Sequence, residues 1–319
     1  RKGAGRLNGT AATGAPDLDV VYSYVKDDGT EIIVSTGGNK IWTGTSSLKD
    51  KTGTLTVTAD DWHFQTYKGE VFGYQSGHAP IYYDGGEGAF VVLSGKPAAA
   101  GLVNSKLHLA AWGRSWVVDV TNLSLIKYSD LLVPEAFTGG SSGTLDLDTV
   151  WPGSNDTITA LAAFNNSLVV FGERSVVVFN NGNDVTNLSV ASTTDSLNVI
   201  GCIARDSVQQ VGNDLFYLSN DGVRSLSRTV IQDNLPLGEI SAPIRDDMIA
   251  SINTATQGSK LGKIRSTYNE QEGFYAINFP GDKVYVCDVR LAGQGIYRWT
   301  TWAGDFFGLA TGKDDTLYI

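Results

Sequence analysis

Two stretches of the sequence share one pattern and decide the fold. Residues 164–179 read FNNSLVVFGERSVVVF, and residues 211–226 read VGNDLFYLSNDGVRSL. In each stretch an apolar run of strand length is followed by a short polar turn and then by a second apolar run. This order predicts a β-hairpin, because Gly, Asn, Asp and Ser favour the backbone angles of a tight reversal.

Further copies of the hairpin pattern extend over the whole chain. Seven copies start near residues 31, 70, 106, 167, 214, 273 and 315. The shorter intervals between these starts match the ~40–50 residues of a four-stranded propeller blade. A weaker apolar stretch before each hairpin, such as residues 158–163, has the character of an inner strand. The sequence therefore predicts an all-β protein, a β-propeller of six to seven blades with one short helix inserted between late blades.

A β-sandwich is the alternative, since it also has many short strands at regular spacing. The propeller is favoured because the repeated unit is a hairpin whose turn comes at a similar position each time. The last strand pattern, residues 315–319, requires a partner strand. Residues upstream of Arg1 or downstream of Ile319 would supply it, or the early strand at residues 19–25 closes the ring.

We expect residues 1–319 to form a single β-propeller domain, a piece of a longer chain because the first residue is Arg1 and not Met. Residues 127–156, with a Gly/Ser-rich centre, are predicted as a loop insertion. Residues 228–262 are predicted as an insertion that contains the helix. That helix covers residues 241–253, with Ser241 as its cap and Ile244, Met248, Ile249 and Ile252 on the face that docks on the propeller.

Composition excludes several classes of protein. The 319 residues include 24 Lys+Arg and 34 Asp+Glu, which gives a net charge of −10. No apolar run approaches the ~18 residues of a membrane span. A net negative charge argues against a general nucleic-acid binder, which carries a basic patch. The 37 glycines show no collagen period and indicate many tight turns.

The histidines and cysteines show no spacing typical of a reactive site. Cys202 and Cys287 lie far apart and form no metal-binding or disulfide pattern, so we expect two small buried thiols. His63, His78 and His108 are well separated and lie in or beside predicted strands. Without partners at ligand spacing they are predicted to pack or to lie on the surface.

Two glycine-rich stretches resemble catalytic or phosphate-binding motifs only in form. Residues 139–143 match G-x-S-x-G, but the nucleophile elbow needs a strand before it and a helix after it, and a Gly/Ser loop surrounds this one. Residues 3–9 match neither the dinucleotide nor the P-loop spacing.

Adjacent carboxylates and tryptophans are the remaining candidates for chemistry. A glycosidase uses two acidic side chains whose carboxyl groups lie about 5–9 Å apart. Adjacent acids on one strand do not form such a pair, because neighbouring side chains along a strand point to opposite faces of the sheet. Acids from different blades would still be able to converge. The tryptophans would stack on sugars or pack between blades. We assign no catalytic, cofactor-binding or metal-ligating residue, expect no cofactor, and predict that the protein is not an enzyme. The carboxylates and tryptophans that we considered and did not assign are Asp60–Asp61, Asp246–Asp247, Asp314–Asp315, Trp112, Trp116, Trp299 and Trp302.

The second half of the chain resembles a known family. Residues 156–176 read DTITALAAFNNSLVVFGERSV, and residues 200–214 read IGCIARDSVQQVGND. These segments resemble the tail hub or nozzle proteins of short-tailed bacteriophages, also called tail tubular or phage stabilisation proteins. The helix around Asp247, the hairpin at 274–287 and the stretch 299–302 follow in the same order. The resemblance covers roughly residues 150–319. The first 150 residues resemble the family only in general character.

The resemblance implies a structural virion protein in the phage tail, assembled in the bacterial host cytoplasm. It implies a ring-shaped homo-oligomer, a hexamer, below the portal, which conducts and seals the genome during DNA ejection. Its implied partners are a portal-adjacent adaptor, tail fibre or tail needle proteins, and double-stranded DNA that passes without specific binding. No membrane span is implied.

The acidic composition has two interpretations. An uncharged or negative channel wall would let DNA slide, because each phosphate that a Lys or Arg neutralises strengthens the binding of DNA to the wall. Mild acidity also serves solubility alone. The alternative function is a propeller that binds or cleaves glycans for host-surface recognition.

Overall fold

A six-bladed β-propeller accounts for nearly all of the described residues. The computed structural model describes residues 17–44, 47–58, 61–151, 155–193, 200–231, 238–304 and 306–319. Within these ranges, six antiparallel sheets of three or four strands and one two-stranded hairpin are accompanied by a single α-helix. The predicted all-β propeller is therefore confirmed, and the sandwich alternative is wrong.

The first three blades each have four strands in an antiparallel meander, and the innermost strand comes first in the chain. The turns between strands are short, as the Gly- and Asp-containing sequences predict. The strands are β1 (Val20–Val25), β2 (Glu31–Gly37), β3 (Lys40–Thr43) and β4 (Lys49–Asp50) in blade 1; β5 (His63–Tyr67), β6 (Glu70–Gln75), β7 (His78–Tyr83) and β8 (Val91–Val92) in blade 2; and β9 (His108–Ala111), β10 (Arg114–Val118), β11 (Leu125–Tyr128) and β12 (Gly143–Asp146) in blade 3.

Blades 4 and 6 repeat this arrangement, and blade 5 has three strands. In blade 5, the chain leaves the third strand for a helical segment instead of adding a fourth strand. The strands are β13 (Ile158–Phe164), β14 (Ser167–Gly172), β15 (Val176–Asn180) and β16 (Ser189–Thr193) in blade 4; β17 (Gln209–Val211), β18 (Asp214–Ser219) and β19 (Gly222–Ser225) in blade 5; and β20 (Arg265–Asn269), β21 (Phe274–Asn278), β22 (Lys283–Asp288) and β23 (Arg298–Ala303) in blade 6.

The ring closes through a two-stranded hairpin, β24 (Ala310–Thr311) and β25 (Leu317–Tyr318). β24 lies between β20 of blade 6 and β1 of blade 1 and contacts both. The Thr311 hydroxyl is 2.8 Å from that of Thr267 on the blade 6 side. On the blade 1 side, the Lys313 backbone N–H donates to Glu31 at 2.7 Å. The predicted strand at 315–319 therefore pairs with β24, which is none of the partners expected from the sequence. The early strand β1 contacts β24 instead of pairing with β25.

One predicted hairpin is shifted by one strand. The copy that starts near residue 106 corresponds to β9 and β10, which are the first and second strands of blade 3. The copies near residues 31, 70, 167, 214 and 273 are the second and third strands of their blades. The inner strand of blade 3 is apolar enough to resemble a hairpin arm, and this explains the uneven intervals between the predicted starts.

The segment predicted as a loop insertion at residues 127–156 contains a strand of the propeller. β12 lies inside it and pairs with β11, as the outermost strand of blade 3. β12 has the sequence GTLD, which combines a glycine with two polar residues, so no apolar run marks it. Outer strands face solvent and need few apolar side chains.

The predicted helix exists, with shifted bounds. α1 covers Arg245–Gln257 in the connection between blades 5 and 6, after a one-turn 3-10 helix at Ala242–Ile244. Met248 and Ile252 are buried against blades 5 and 6 and Ile244 packs against the same cluster, so the predicted docking face is confirmed for these three residues. Ile249, the fourth predicted member, is half-buried and does not belong to that cluster. Ser241 does not cap the helix. Its hydroxyl accepts the Val223 N–H at 3.0 Å and holds the segment to β19 instead.

Short helical turns occupy other connections between strands. One of them precedes blade 5 and contributes to the site described below. In the described part of the chain, no helix has the length and apolar character that a membrane span requires. The turns are 3-10 helices at Leu93–Gly95, Arg205–Ser207, Leu261–Lys263 and Ala292–Gln294, and a π-helical turn at Ser227–Ile231.

The core lies between the blades, because each central strand sends alternate side chains to its two neighbours. In β14, Leu168 and Val170 belong to the apolar cluster shared with blade 3. Val169 and Phe171 belong to the cluster shared with blade 5, where the ring centroids of Phe171 and Tyr217 are 4.9 Å apart. Both faces of the strand are buried, so LVVF is apolar without alternation.

The backbone at Gly201 makes a close approach that only glycine permits. A Cβ at this position would clash with the backbone of Gly172 and Arg174 in the turn between β14 and β15. Cys202 follows, and its backbone N–H donates to the Gly172 carbonyl at 2.8 Å. The contact joins the blade 4–5 connection to blade 4.

We expect Gly201→Ala to lower the free energy of unfolding by about 1–3 kcal/mol, because a backbone contact cannot relax as a side chain can. Urea unfolding followed by tryptophan fluorescence measures the change. Gly95→Ala is the matched control, since no heavy atom lies within 4 Å of a Cβ added there. Equal midpoints for the two variants would contradict this account of the contact.

Candidate functional site

Charged groups meet where the inner strands begin, near the axis of the propeller, and they are largely buried except for Asp61, whose side chain is 37% exposed. We call this side of the propeller the start face, and the side where the inner strands end the opposite face. The central charge cluster is defined as Asp61, His63, Arg205, Asp206 and Arg265. Its members come from the connections before blades 2, 5 and 6. Residues far apart in sequence therefore form one charged group at the start face.

Arg205 is the centre of the cluster. It lies in the 3-10 turn before blade 5, and its side chain is 9% exposed. Its Nη2 donates to Asp61 Oδ1 at 2.8 Å, before blade 2. Its Nη1 donates to the backbone carbonyl of Lys106, before blade 3. Blades 2 and 5 are three positions apart in the ring, so the side chain links connections on opposite sides of the central axis.

A carboxylate and a second guanidinium complete the cluster. Asp206 accepts from Arg205 Nε at 2.8 Å and from Arg205 Nη2 at 2.6 Å. Arg265, the first residue of β20, places Nη1 2.9 Å from Asp206 Oδ2 and Nη2 3.8 Å from Asp61 Oδ1. Its side chain is 5% exposed. Two positive and two negative groups therefore compensate one another, as buried charges require.

Backbone contacts fix the turn that carries Arg205. The Ser266 hydroxyl donates to the Asp206 carbonyl at 2.7 Å, and the Tyr275 hydroxyl donates to the Ser207 carbonyl at 2.9 Å. Both donors belong to blade 6. The cluster is thus held on blade 6 by hydrogen bonds and reaches across to blades 2 and 3.

The cluster sets the protonation of its members. Burial alone would raise the pKa of Asp206, but the Arg205 and Arg265 guanidinium groups hold that pKa well below its usual range. Burial, reinforced by the positive charges of the same two arginines, lowers the pKa of His63 to about 3. Asp206 is therefore ionised and His63 neutral at pH 7. His63 Nδ1 accepts the His108 N–H at 2.9 Å, which ties blade 2 to blade 3.

Asp61 and Asp206 are the acids that converge from different blades, a possibility left open by the sequence. Both accept hydrogen bonds from the same guanidinium, that of Arg205. Burial raises the pKa of Asp61, as in a glycosidase acid, whereas the two arginines hold Asp206 ionised. Both carboxylates accept hydrogen bonds from Arg205, and this shared bond favours a structural link between blades over proton transfer to a sugar.

The other predicted candidates are dispersed. His78 Nε2 accepts the Thr58 N–H at 3.1 Å, near the surface. Cys202 and Cys287 are both free and buried, as expected. Ser141, in the G-x-S-x-G stretch, donates to Asp130 at 2.8 Å, and β12 rather than a helix follows it. Among the described residues, no group of three or more His, Cys, Asp or Glu is arranged to hold a metal ion.

Two of the other adjacent carboxylates, Asp247 and Asp314, serve local structure. Asp247, in the first turn of α1, lies 2.8 Å from the Lys283 ammonium. Asp314 Oδ1 accepts the Thr316 N–H at 3.2 Å in the turn between β24 and β25. Asp60 and residues 3–9 lie outside the described residues.

The tryptophans pack within the propeller. Trp112 and Trp116 form an edge-on pair with ring centroids 6.0 Å apart, and Trp302 packs edge-on against Phe274 at 5.7 Å. The Trp299 indole donates to the Ile240 carbonyl at 2.9 Å. These contacts favour packing over stacking on sugars as the role of the four tryptophans.

Comparisons with known proteins support the fold. No protein-family model matches the chain, and no curated protein matches its sequence. Solved structures that are similar include the WD40 repeats of RRP9, with a TM-score of 0.55 and 10% identity over 94% of this chain and 85% of that one. BamB from Moraxella catarrhalis has a TM-score of 0.52 and 11% identity over 95% and 80% of the two chains.

A third similar structure is PorZ, a surface component of the type-IX secretion system of Porphyromonas gingivalis. Its TM-score is 0.51 and its identity 11%, over 94% of this chain and 34% of PorZ. The chain therefore spans about a third of PorZ. At these identities the likeness shows the propeller fold alone.

We expect Arg205→Met to lower the free energy of unfolding by about 3–5 kcal/mol, because it removes the guanidinium that bonds to both carboxylates and to the Lys106 carbonyl and leaves Arg265 as the one remaining cation of the cluster. Urea unfolding at pH 7 measures the loss. Arg290→Met is the matched control. Arg290 pairs with Asp288 but is 67% exposed, so its replacement should change the free energy of unfolding little. Equal losses in the two variants would show that the central charge cluster does not join the blades.

Stability should fall as the pH is lowered from about 6.5. Burial lowers the pKa of His108 to about 3, like that of His63. In the unfolded chain both histidines have a pKa near 6.5. Between pH 6.5 and 3 the unfolded state therefore binds more protons than the folded state. The free energy of unfolding then falls by up to ~1.4 kcal/mol per pH unit for each histidine. Urea unfolding of His108→Gln at pH 6.0, 5.0 and 4.0 should show a shallower decline than wild type, and a parallel decline would contradict the assignment.

Proposed function

We propose that this chain is a structural propeller module of the tail nozzle of a short-tailed phage. In this proposal identical copies form a ring below the portal, and the genome leaves through that ring. The observation that carries the proposal is the resemblance of residues 156–302 to the nozzle family. Those residues coincide with blades 4 to 6 and include α1 between blades 5 and 6. The resembling segment is therefore a contiguous part of the ring.

The central charge cluster is consistent with a mechanical role. Arg205 links the connections before blades 2, 3 and 5 at the start face. In this proposal the conduit for DNA is the space enclosed by several copies, and not the channel of one propeller. Each copy would act as a rigid wall segment whose blades are tied together near the axis.

The charge of the chain favours passage without binding. A net charge of −10 would repel phosphates wherever acidic residues face the duplex. DNA binding in general depends on Lys and Arg that neutralise phosphates. In the proposed tail the partners would be a portal-adjacent adaptor above the ring and tail fibre or needle proteins around and below it.

A glycan-binding or glycan-cleaving propeller is the alternative, and one observation favours it. Asp61 and Asp206 converge from different blades near the start face. Their shared bond to Arg205 is the reason we place this function second.

The ring proposal is tested by negative-stain electron microscopy of the purified chain at several concentrations and of virion tails labelled with an antibody to it. We expect closed rings and label at the tail below the portal. A chain that stays monomeric at all concentrations and is absent from the tail would contradict the proposal. Release of reducing ends from host polysaccharide, lost in Asp61→Asn, would favour the alternative.

A further inference from the structure

The turn between β14 and β15, at the start face of blade 4, points successive backbone N–H groups at one carboxylate. The donors are the N–H groups of Glu173, Arg174 and Ser175, and the acceptor is Asp156, in the connection before β13. Successive N–H groups that converge on an anion form a backbone nest, a known type of anion-binding concavity. We call these three N–H groups the blade 4 nest.

Both oxygens of the Asp156 carboxylate are used. Oδ1 accepts the Glu173 N–H at 2.9 Å and the Thr157 N–H at 2.8 Å. Oδ2 accepts the Arg174 N–H at 3.1 Å, and the N–H and hydroxyl of Ser175 at 2.9 Å each. Hydrogen bonds to an ionised acceptor are stronger than those between neutral groups. The nest therefore binds a carboxylate in the manner of a ligand.

A glycine beside the nest makes room for the anion. A Cβ added at Gly172, the last residue of β14, would lie 2.3 Å from Asp156 Oδ2. Any side chain at this position would therefore displace the carboxylate or the turn. The absence of a side chain at Gly172 keeps the space above the three N–H groups open to an oxygen of the anion.

The nest is held in shape from its other side by contacts that do not involve Asp156. The Cys202 N–H donates to the Gly172 carbonyl at 2.8 Å, and the Ile200 N–H donates to the Arg174 carbonyl at 3.1 Å. The turn should consequently keep its conformation when the carboxylate is removed. Donors that are already in position bind an anion at a low cost in entropy. Glu173 and Arg174 are exposed, so an anion from solution can reach the turn.

The carboxylate is also fixed in place by its own backbone. The Ser124 hydroxyl donates to the Asp156 carbonyl at 3.1 Å, and the Ile158 N–H donates to the Leu123 carbonyl at 3.0 Å. These bonds attach the connection before β13 to blade 3. A group fixed so close to its acceptor site has a high effective concentration there, and a free anion in solution competes poorly with it.

We infer that the blade 4 nest is an oxyanion-binding site, for a carboxylate or a phosphate, and that Asp156 occupies it as a tethered ligand. The wild-type chain thereby leaves no free donors at this turn for the phosphate or carboxylate of another molecule. The site is formed by a single copy, so it goes beyond the proposed ring and does not depend on it.

The site is tested with Asp156→Ala, which removes the ligand and leaves the nest. Thermal unfolding is measured in sodium acetate and in sodium phosphate, with sodium chloride at equal ionic strength as the reference. We expect a lower midpoint than wild type in chloride and a saturable rise of ~2 °C or more in acetate and in phosphate, because an anion that binds only the folded state stabilises it. The wild-type midpoint should be the same in all three salts.

Two variants serve as matched controls. Asp156→Asn fills the nest with a neutral group of the same size, so it should be destabilised without an anion-dependent rise. Asp184→Ala removes a carboxylate on the opposite face of the same blade. That carboxylate accepts from the N–H and hydroxyl of Thr186 and from the Asn187 amide, and no series of successive N–H groups faces it among these donors. Asp184→Ala should also show no anion-dependent rise.

A direct measurement locates the bound anion. In Asp156→Ala, titration with acetate or phosphate should shift the amide NMR signals of Glu173, Arg174 and Ser175 more than other signals. If Asp156→Ala is unfolded in chloride, recovery of its folded spectrum in acetate at equal ionic strength reports the same site.

Each remaining outcome would overturn the inference. If Asp156→Ala responds to acetate and phosphate no more than wild type does, Asp156 is a structural contact and the nest does not bind external anions. If the two control variants respond as strongly as Asp156→Ala, the salts act on stability in general and not at this turn. Neither result bears on whether copies of the chain form a ring.

Discussion

Every blade of this propeller must be covered on both faces, and the rest of the structure follows from that constraint. Alternate side chains of β14 enter two different apolar clusters, one with each neighbouring blade. No blade can therefore be stable alone, and the sheets complete their burial only by closing into a ring. Closure brings the starts of all inner strands together, which places charged connections such as Arg205–Ser207 beside the axis. The central charge cluster is a consequence of this geometry.

The sequence predicted the parts of the fold that depend on apolar runs. The hairpins of blades 1, 2, 4, 5 and 6 are confirmed because their second and third strands are buried on both faces. β12 was missed, since an outer strand with one covered face needs few apolar residues. Ser241 was assigned to the wrong role because a serine before a helix has the same sequence pattern whether its hydroxyl caps the helix or binds a neighbouring strand.

The candidate site was beyond the reach of sequence patterns. Asp61 and Arg205 are 144 residues apart, and no local spacing records that two loops meet across an axis. A weak signal exists in the adjacent charges of Arg205 and Asp206, which follow the mainly apolar residues 200–204 between predicted strands. Charges in such a setting indicate a buried pair, but the partners in blades 2 and 6 come only from the closed ring.

The hairpin β24–β25 lies at the boundary where the ring closes, between blade 6 and blade 1. Within the described residues this hairpin has two residue pairs in its ladder and lies between blades 6 and 1. The hydrogen bond from Lys313 to Glu31 spans 282 sequence positions. Closure of the ring therefore depends on joining the last described residues of the chain to its first described strands.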